Sequence, residues 1–161
     1  MQNAFPRILI AVSALAFAVV VNPARAGSQA GGANAEGAQK ADVAKREAKY
    51  RLVLHVAGNN PQEWKIALNN ALLFQKNLGA DKTAIELVAN GPGLHMLKAE
   101  SAAAAGVTQA LDHNIDIVAC GQTMKAMKLT QADLIGGVRV VPGGLIEIVN
   151  RQMQGWSYVR P

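Results

Sequence analysis

From Tyr50 onward the chain alternates short apolar runs with stretches whose apolar residues recur at helical spacing. Tyr50–Val56, rich in Leu and Val, predicts a first strand, and Gly58-Asn59-Asn60-Pro61 is a turn that launches a helix. Glu63–Leu78 carries Trp64, Ala67, Leu68, Ala71 and Leu72 at helical spacing, and Gly79 supplies the stop. A second apolar stripe on this helix, Ile66, Leu73 and Phe74, predicts either a sandwiched helix or a subunit contact, with the contact favoured. Thr83–Ala89 predicts a second strand. It lacks clean alternation, which suits a strand covered on both faces, and it ends at Asn90-Gly91-Pro92-Gly93.

A short helix is expected from about Leu94 and another from about Val107 to His113, followed by a third strand over Ile115–Ala119. Helix then runs through Met127, and Thr130-Gln131-Ala132-Asp133 caps a further short turn. Val138–Val141 is the fourth strand, ending at Pro142-Gly143-Gly144. Leu145–Gln154 is helical, with Leu145, Ile148, Val149 and Met153 on one face, and Trp156–Val159 closes the chain as a fifth strand. This order predicts an α/β fold: a single three-layer domain over residues 50–161. A mostly parallel five-stranded sheet would carry helices on both faces, because parallel crossovers are long and right-handed.

The residues ahead of Tyr50 read differently. Met1–Arg7 is a short basic stretch, Ile8–Val21 is a 14-residue apolar run broken only by Ser13, and Ala24-Arg25-Ala26 has the small-x-small spacing of a signal-peptidase site. Fourteen residues fall short of the roughly 20 a membrane-spanning helix needs. Residues 1–26 are therefore expected to be a cleaved signal peptide, leaving no membrane span and a periplasmic or secreted protein. Gly27–Gln39, without β-branched or aromatic residues, continues toward Lys49 as a flexible linker, with a marginal helix expected at most over Lys40–Lys49. The formal charge is +5, with Arg7 and Arg25 of the leader contributing to it. The basic residues are scattered, which argues against a nucleic-acid surface.

In a parallel sheet the carboxyl ends of the strands share one edge. That edge would gather the loops at Gly58-Asn59-Asn60, Asn90-Gly91-Pro92-Gly93, Cys120-Gly121 and Pro142-Gly143-Gly144. Cys120 is the only cysteine, so it has no intramolecular disulfide partner. At a helix amino terminus, with Lys125 nearby in sequence, it reads as a reactive thiol; the competing reading is inert packing. Gln122 and Thr123 either bond a sulfur-borne group or cap the helix, and Lys125 either steers an anion or is an ordinary solvated lysine. His95 either faces the same edge as a base or proton donor or is a structural or solvated histidine, the more common case near a loop, whereas His55 reads as a satisfied strand histidine and His113 as a complement to a helix end. Three separated histidines and one cysteine make no zinc constellation, and no cofactor is expected. A thioredoxin-type dithiol, an arginine closing a phosphate-cradling loop, a dinucleotide fingerprint, a Walker A motif and a nucleophile elbow are all absent.

Four segments together resemble the DsrE/DsrF-like family. They are Val88-Ala89-Asn90-Gly91-Pro92-Gly93-Leu94, Ala119-Cys120-Gly121-Gln122-Thr123-Met124-Lys125, Val140-Val141-Pro142-Gly143-Gly144 and Gln152-Met153-Gln154-Gly155-Trp156-Ser157-Tyr158-Val159. The resemblance spans nearly all of residues 50–161. It implies a DsrE-like α/β protein, often trimeric or hexameric, in which the cysteine carries sulfur as a persulfide between partners; Cys120 matches that cysteine. Read from the strand-end loops rather than from the resemblance, the expected ligand contacts are Asn90, Gly91, Gly93, His95, Gly121, Gln122, Thr123 and Lys125. The well-understood relays are cytoplasmic, so for an exported member the expected partner is a sulfur donor or acceptor protein, or a small sulfur species, in the periplasm. The alternative is a non-catalytic module that holds a small ligand or partner, with Cys120 as packing.

Overall fold

The computed structural model describes Lys45, Glu47 and residues 48–161. The predicted leader over residues 1–26 and most of the predicted linker over 27–49 lie outside the described residues. Five strands, β1 (Tyr50–Val56), β2 (Thr83–Ala89), β3 (Asp116–Cys120), β4 (Arg139–Val141) and β5 (Ser157–Val159), form one sheet in the order β4-β3-β2-β1-β5. Every neighbouring pair is parallel. The helices are α1 (Pro61–Leu78), α2 (Ala104–Asp112), α3 (Gly121–Ala126) and α4 (Gly144–Met153), with 3-10 turns at Ala80–Lys82, Gly91–Leu97 and Gln131–Asp133.

The three central strands lack clean alternation because both of their faces are buried, as parallel strands require. Leu52, Leu54, Val56, Ile85, Leu87, Ile117 and Ala119 pack with Trp64, Ala67, Leu68 and Val107 from α1 and α2. Val53, Val88, Val118 and Val141 face the other way, against Ile148 of α4 and Trp156. The three-layer arrangement expected from the pattern is what forms.

Differences from the expected elements are local and have physical causes. Helix α1 starts at Pro61, ahead of Glu63, because Asn60 Oδ1 accepts from the Gln62 N–H at 3.0 Å and Pro61 suits the first helical position. Helix α2 starts at Ala104, through Gly106, where a side chain would come within 3.0 Å of Leu68 Cδ1 of α1. The segment after Asn90 is 3-10 rather than α. Helix α4 turns Ile148 inward but leaves Leu145, Val149 and Met153 outward, with Met153 81% exposed. The one-sided apolar face expected over Leu145–Gln154 is therefore split between core and surface. On α1 the second stripe is also split: Ile66 and Leu73 are about half exposed, and Phe74 packs on the core.

One feature of the second face has no counterpart in the sequence pattern. Glu86, in the middle of β2, is fully buried. Its Oε2 accepts from Arg151 Nε at 2.8 Å and Arg139 Nη2 at 3.1 Å, and pairs with Arg151 Nη2 at 2.7 Å. Glu147 bridges the same two arginines at 3.2 Å each. Asp116 pairs with Arg139 at 3.0 Å and with Lys45 at 2.9 Å. The Arg151 guanidinium lies 4.9 Å from the Trp156 ring centroid. Three carboxylates and three cations thus bind α4 to the sheet, within charge balance, as a buried ionic group must be.

Burial pushes the Glu86 carboxyl up to about 7, against the pull of Arg151, from an ordinary value of 4.5. A carboxyl raised in the folded state contributes its full stability below its unfolded value and gives it up as pH climbs through the folded one. Glu86→Gln cannot titrate. Relative to that variant, the parent is expected to lose up to ~3 kcal/mol as pH rises from about 4.5 to about 7. Urea unfolding of both proteins across that range measures it, and a constant difference would show that Glu86 stays ionised throughout.

Candidate functional site

Cys120 ends β3 and is 6% exposed. Its register partner is Val141, the last residue of β4, so the chain leaving β4 through Pro142 and Gly143 turns directly over the cysteine. Gly144 makes that approach possible. A Cβ there would sit 3.0 Å from Cys120 Cβ, 3.3 Å from Asn90 Cβ and 3.3 Å from Val88 Cγ1. Any other residue would lift the first turn of α4 off the sheet. Gly93 allows a comparable approach beside β1, where a side chain would collide with the Val56 carbonyl.

Burial by itself would raise the Cys120 thiol, but the Thr123 hydroxyl and the backbone N–H groups of Gly144, Thr123 and Gln122 outweigh it and hold the thiol below the ordinary cysteine value. The Thr123 hydroxyl is itself set by the Gly91 N–H, which donates to its oxygen at 3.0 Å and leaves the hydroxyl proton for the sulfur. The loop after β2 therefore orients a donor that belongs to α3.

The thiol opens onto a cleft of about 490 Å³, walled by Asn90 and Gly91, by Gln122 and Thr123, and by Gly143 to Ile146. Among the described residues no charged side chain lines it. Of the residues anticipated at this edge, the fold brings Asn90, Gly91, Gln122 and Thr123 around Cys120. Gly93 and Gly121 act through backbone packing, Gly121 lying 2.9 Å, measured to a Cβ position, from the Val141 carbonyl. His95, half-buried in the 3-10 turn, does not line the cleft, and exposed Lys125 does not either. Five residues past Cys120, Lys125 is more than a turn on and off the cleft side of α3. A groove of about 380 Å³ between α1 and α2, lined by Trp64, Leu68 and Gly106 among others, holds no cysteine or histidine.

Two contributors were not legible beforehand. Gly144 is a punctuation glycine in sequence, and its role depends on β3–β4 register. His55 is half-buried and satisfied, as its strand position suggested, but its partners are Asn90 Oδ1 and the Tyr158 hydroxyl, each at 2.9 Å. His113 bonds the Gln109 carbonyl at 2.8 Å at the end of α2. Among the described residues no group of three or more His, Cys, Asp or Glu is placed to hold a metal ion, and no helix is long and apolar enough to cross a membrane.

The family model described as the DsrE/DsrF-like family matches residues 48–161. Among solved structures, MTH1491 from Methanobacterium thermoautotrophicum, a protein of unknown function, is similar at 30% identity and a TM-score of 0.67, over 70% of this chain and 99% of that one. The ychN protein from E. coli is similar in fold at 12% identity and a TM-score of 0.58, over 70% of this chain and 99% of its own. BT1422 from Bacteroides thetaiotaomicron, a conserved protein of unknown function, aligns at 14% identity and a TM-score of 0.53, over 68% and 93% of the two chains. Curated proteins yield no significant match.

The donor set around Cys120 makes a measurable demand. Iodoacetamide should alkylate Cys120 with a rate midpoint below the ~8.5 of a free cysteine. Thr123→Val removes the hydroxyl donor to the thiolate and should move the midpoint upward. A midpoint at or above ~8.5 that the substitution leaves in place would contradict the hydrogen-bonded thiolate.

Proposed function

The chain belongs to the DsrE/DsrF-like family, and from that premise we propose that it binds or relays sulfane sulfur as a persulfide on Cys120. The observation that carries the reading is one thiol at the edge of an uncharged cleft, tucked under the amino end of α4 and held below the ordinary cysteine value by the Thr123 hydroxyl and neighbouring backbone N–H groups. Donors placed this way stabilise a thiolate, and they equally stabilise the anionic outer sulfur of a persulfide. The chemistry needs no second cysteine. The Cys120 thiolate attacks the outer sulfur of thiosulfate or polysulfide, a new S–S bond forms, the old one breaks, and sulfite or the shortened polysulfide leaves with the electron pair. A second thiol reverses the step by taking the outer sulfur. Among the described residues the cleft holds no acidic side chain to repel these anions.

Intact mass spectrometry after incubation with polysulfide tests the proposal. The expected result is an added mass of one sulfur atom, removed by a reducing thiol and missing in Cys120→Ala. No adduct, or an adduct that survives in Cys120→Ala, would favour the alternative of a binding module in which Cys120 is packing. Expressed with its leader in an exporting host, the same spectrum should read a chain beginning at Gly27, in keeping with the proposed periplasmic setting.

We further propose that the chain self-associates through the outer face of α4. Leu145, Ile146, Val149 and Met153 are all exposed there, and Leu145 and Ile146 continue into the rim of the cleft. Contiguous apolar patches of this kind mark interaction surfaces. Light scattering on a sizing column should find an assembly that Val149→Glu with Met153→Glu breaks to monomers. A parent protein that is strictly monomeric overturns the assignment.

A further inference from the structure

We propose that His55 is a positioning residue for the Cys120 cleft: by donating to Asn90 Oδ1 it turns the carboxamide so that Nδ2 is offered to an anionic group bound beside the sulfur. The inference rests on Cys120 being an accessible thiol, as the proposed function does, but not on persulfide chemistry.

Strand register brings the residues together. Successive side chains alternate across a sheet, so His55 lies on the same face as Val53, which packs with Val88 and Val118 beneath α4. Two residues beyond Val88 and Val118 on that face come Asn90 and Cys120, and Gly144 rests against both. Tyr158, paired with Val53 across the β1–β5 ladder, reaches His55 from the other side. Tyr158, His55, Asn90 and Cys120 thus succeed one another along the carboxyl edge, one from each of four adjacent strands or their ends.

The hydrogen-bond chemistry gives this row a direction. A carboxamide oxygen can only accept, so the 2.9 Å contact with Asn90 Oδ1 requires the hydrogen on His55 Nε2. In a neutral ring Nδ1 must then accept, and the Tyr158 hydroxyl donates to it at 2.9 Å. A protonated ring would still donate from Nε2, with Tyr158 accepting instead. In either charge state the Asn90 oxygen is engaged by His55. Nδ2 has no hydrogen-bond partner among the described residues, and Asn90 lines the cleft beside the cysteine. With the opposite orientation the cleft would face a carbonyl oxygen, which repels anions. A half-buried strand histidine bonded at both nitrogens therefore sets the polarity of a wall it does not itself line.

Alkylation by two reagents of different charge tests this. Rate constants for iodoacetate and iodoacetamide are measured at the same pH on the parent and on variants. Both reagents attack the same thiolate, so any change in thiolate fraction cancels in their ratio. His55→Leu, which keeps bulk but has no donor, should lower the iodoacetate-to-iodoacetamide ratio about fivefold, the size of one hydrogen bond. Asn90→Ala should lower it equally, and the double variant no further. His55→Gln, whose amide N–H can replace the Nε2 donor, should keep the parental ratio. That rescue also separates hydrogen bonding from ring charge and from a merely structural role. A parental ratio in His55→Leu overturns the proposal, and if that variant does not fold, a parental ratio in Asn90→Ala does so. Failure of both reagents on the parent would refute the accessible thiol and both readings with it. A normal ratio pattern without sulfur uptake would refute only the persulfide.

Discussion

The buried carboxylate of Glu86 organises the second face of this sheet. A fully buried glutamate on a central strand is tolerable only with partners, and here Arg139 comes from the edge strand β4 and Arg151 from α4. Among the described residues α4 is the helix that covers this face, and its apolar contribution to the core is small, centred on Ile148. The ionic ladder thus fixes where the helix lies as much as packing does. Breaking one partner of such a set costs far more than the set contributes as a whole, because a buried charge is left unmatched. That asymmetry makes the network a device for placing α4 in one position rather than a large source of net stability.

The cysteine depends on that placement. The amino end of α4 reaches Cys120 because Gly144 has no side chain to hold it away, and the Gly144 N–H is one of the donors that offset burial of the thiol. The remaining donors come from α3 and, through Gly91, from the loop after β2. Among the described residues no lysine or arginine lines the cleft. Hydrogen bonds depress the thiol here, which distinguishes the cleft from sites where a cation beside the sulfur does so. Among the described residues, the cleft therefore holds no counter-charge that would trap a small anion. The apolar outer face of α4 begins at the rim of the same cleft, so a partner seated there would approach the sulfur directly.

The sequence by itself determined the strands and the parallel character of the sheet, because these follow from the composition of each segment and the alternation of strand with helix, whereas the order β4-β3-β2-β1-β5 came from the structure. β1 and β2 fall at the residues their apolar runs predict, and Cys120 stands at a strand end as its neighbours implied. The resemblance of four short segments identified the family correctly, as the family match over residues 48–161 shows. What tertiary structure decided was everything that joins residues distant in the chain. The β3–β4 register set Gly144 over Cys120; the β1–β2 and β1–β5 registers gave His55 its partners; and the helical pitch of α3 carried Lys125 away from the cleft while the turn after Gly91 kept His95 out of it. Glu86 has no local justification in its apolar strand, because the arginines that pair with it lie 53 and 65 residues further on. Periodicity tells which face a residue takes, but only pairing between strands tells what it meets there.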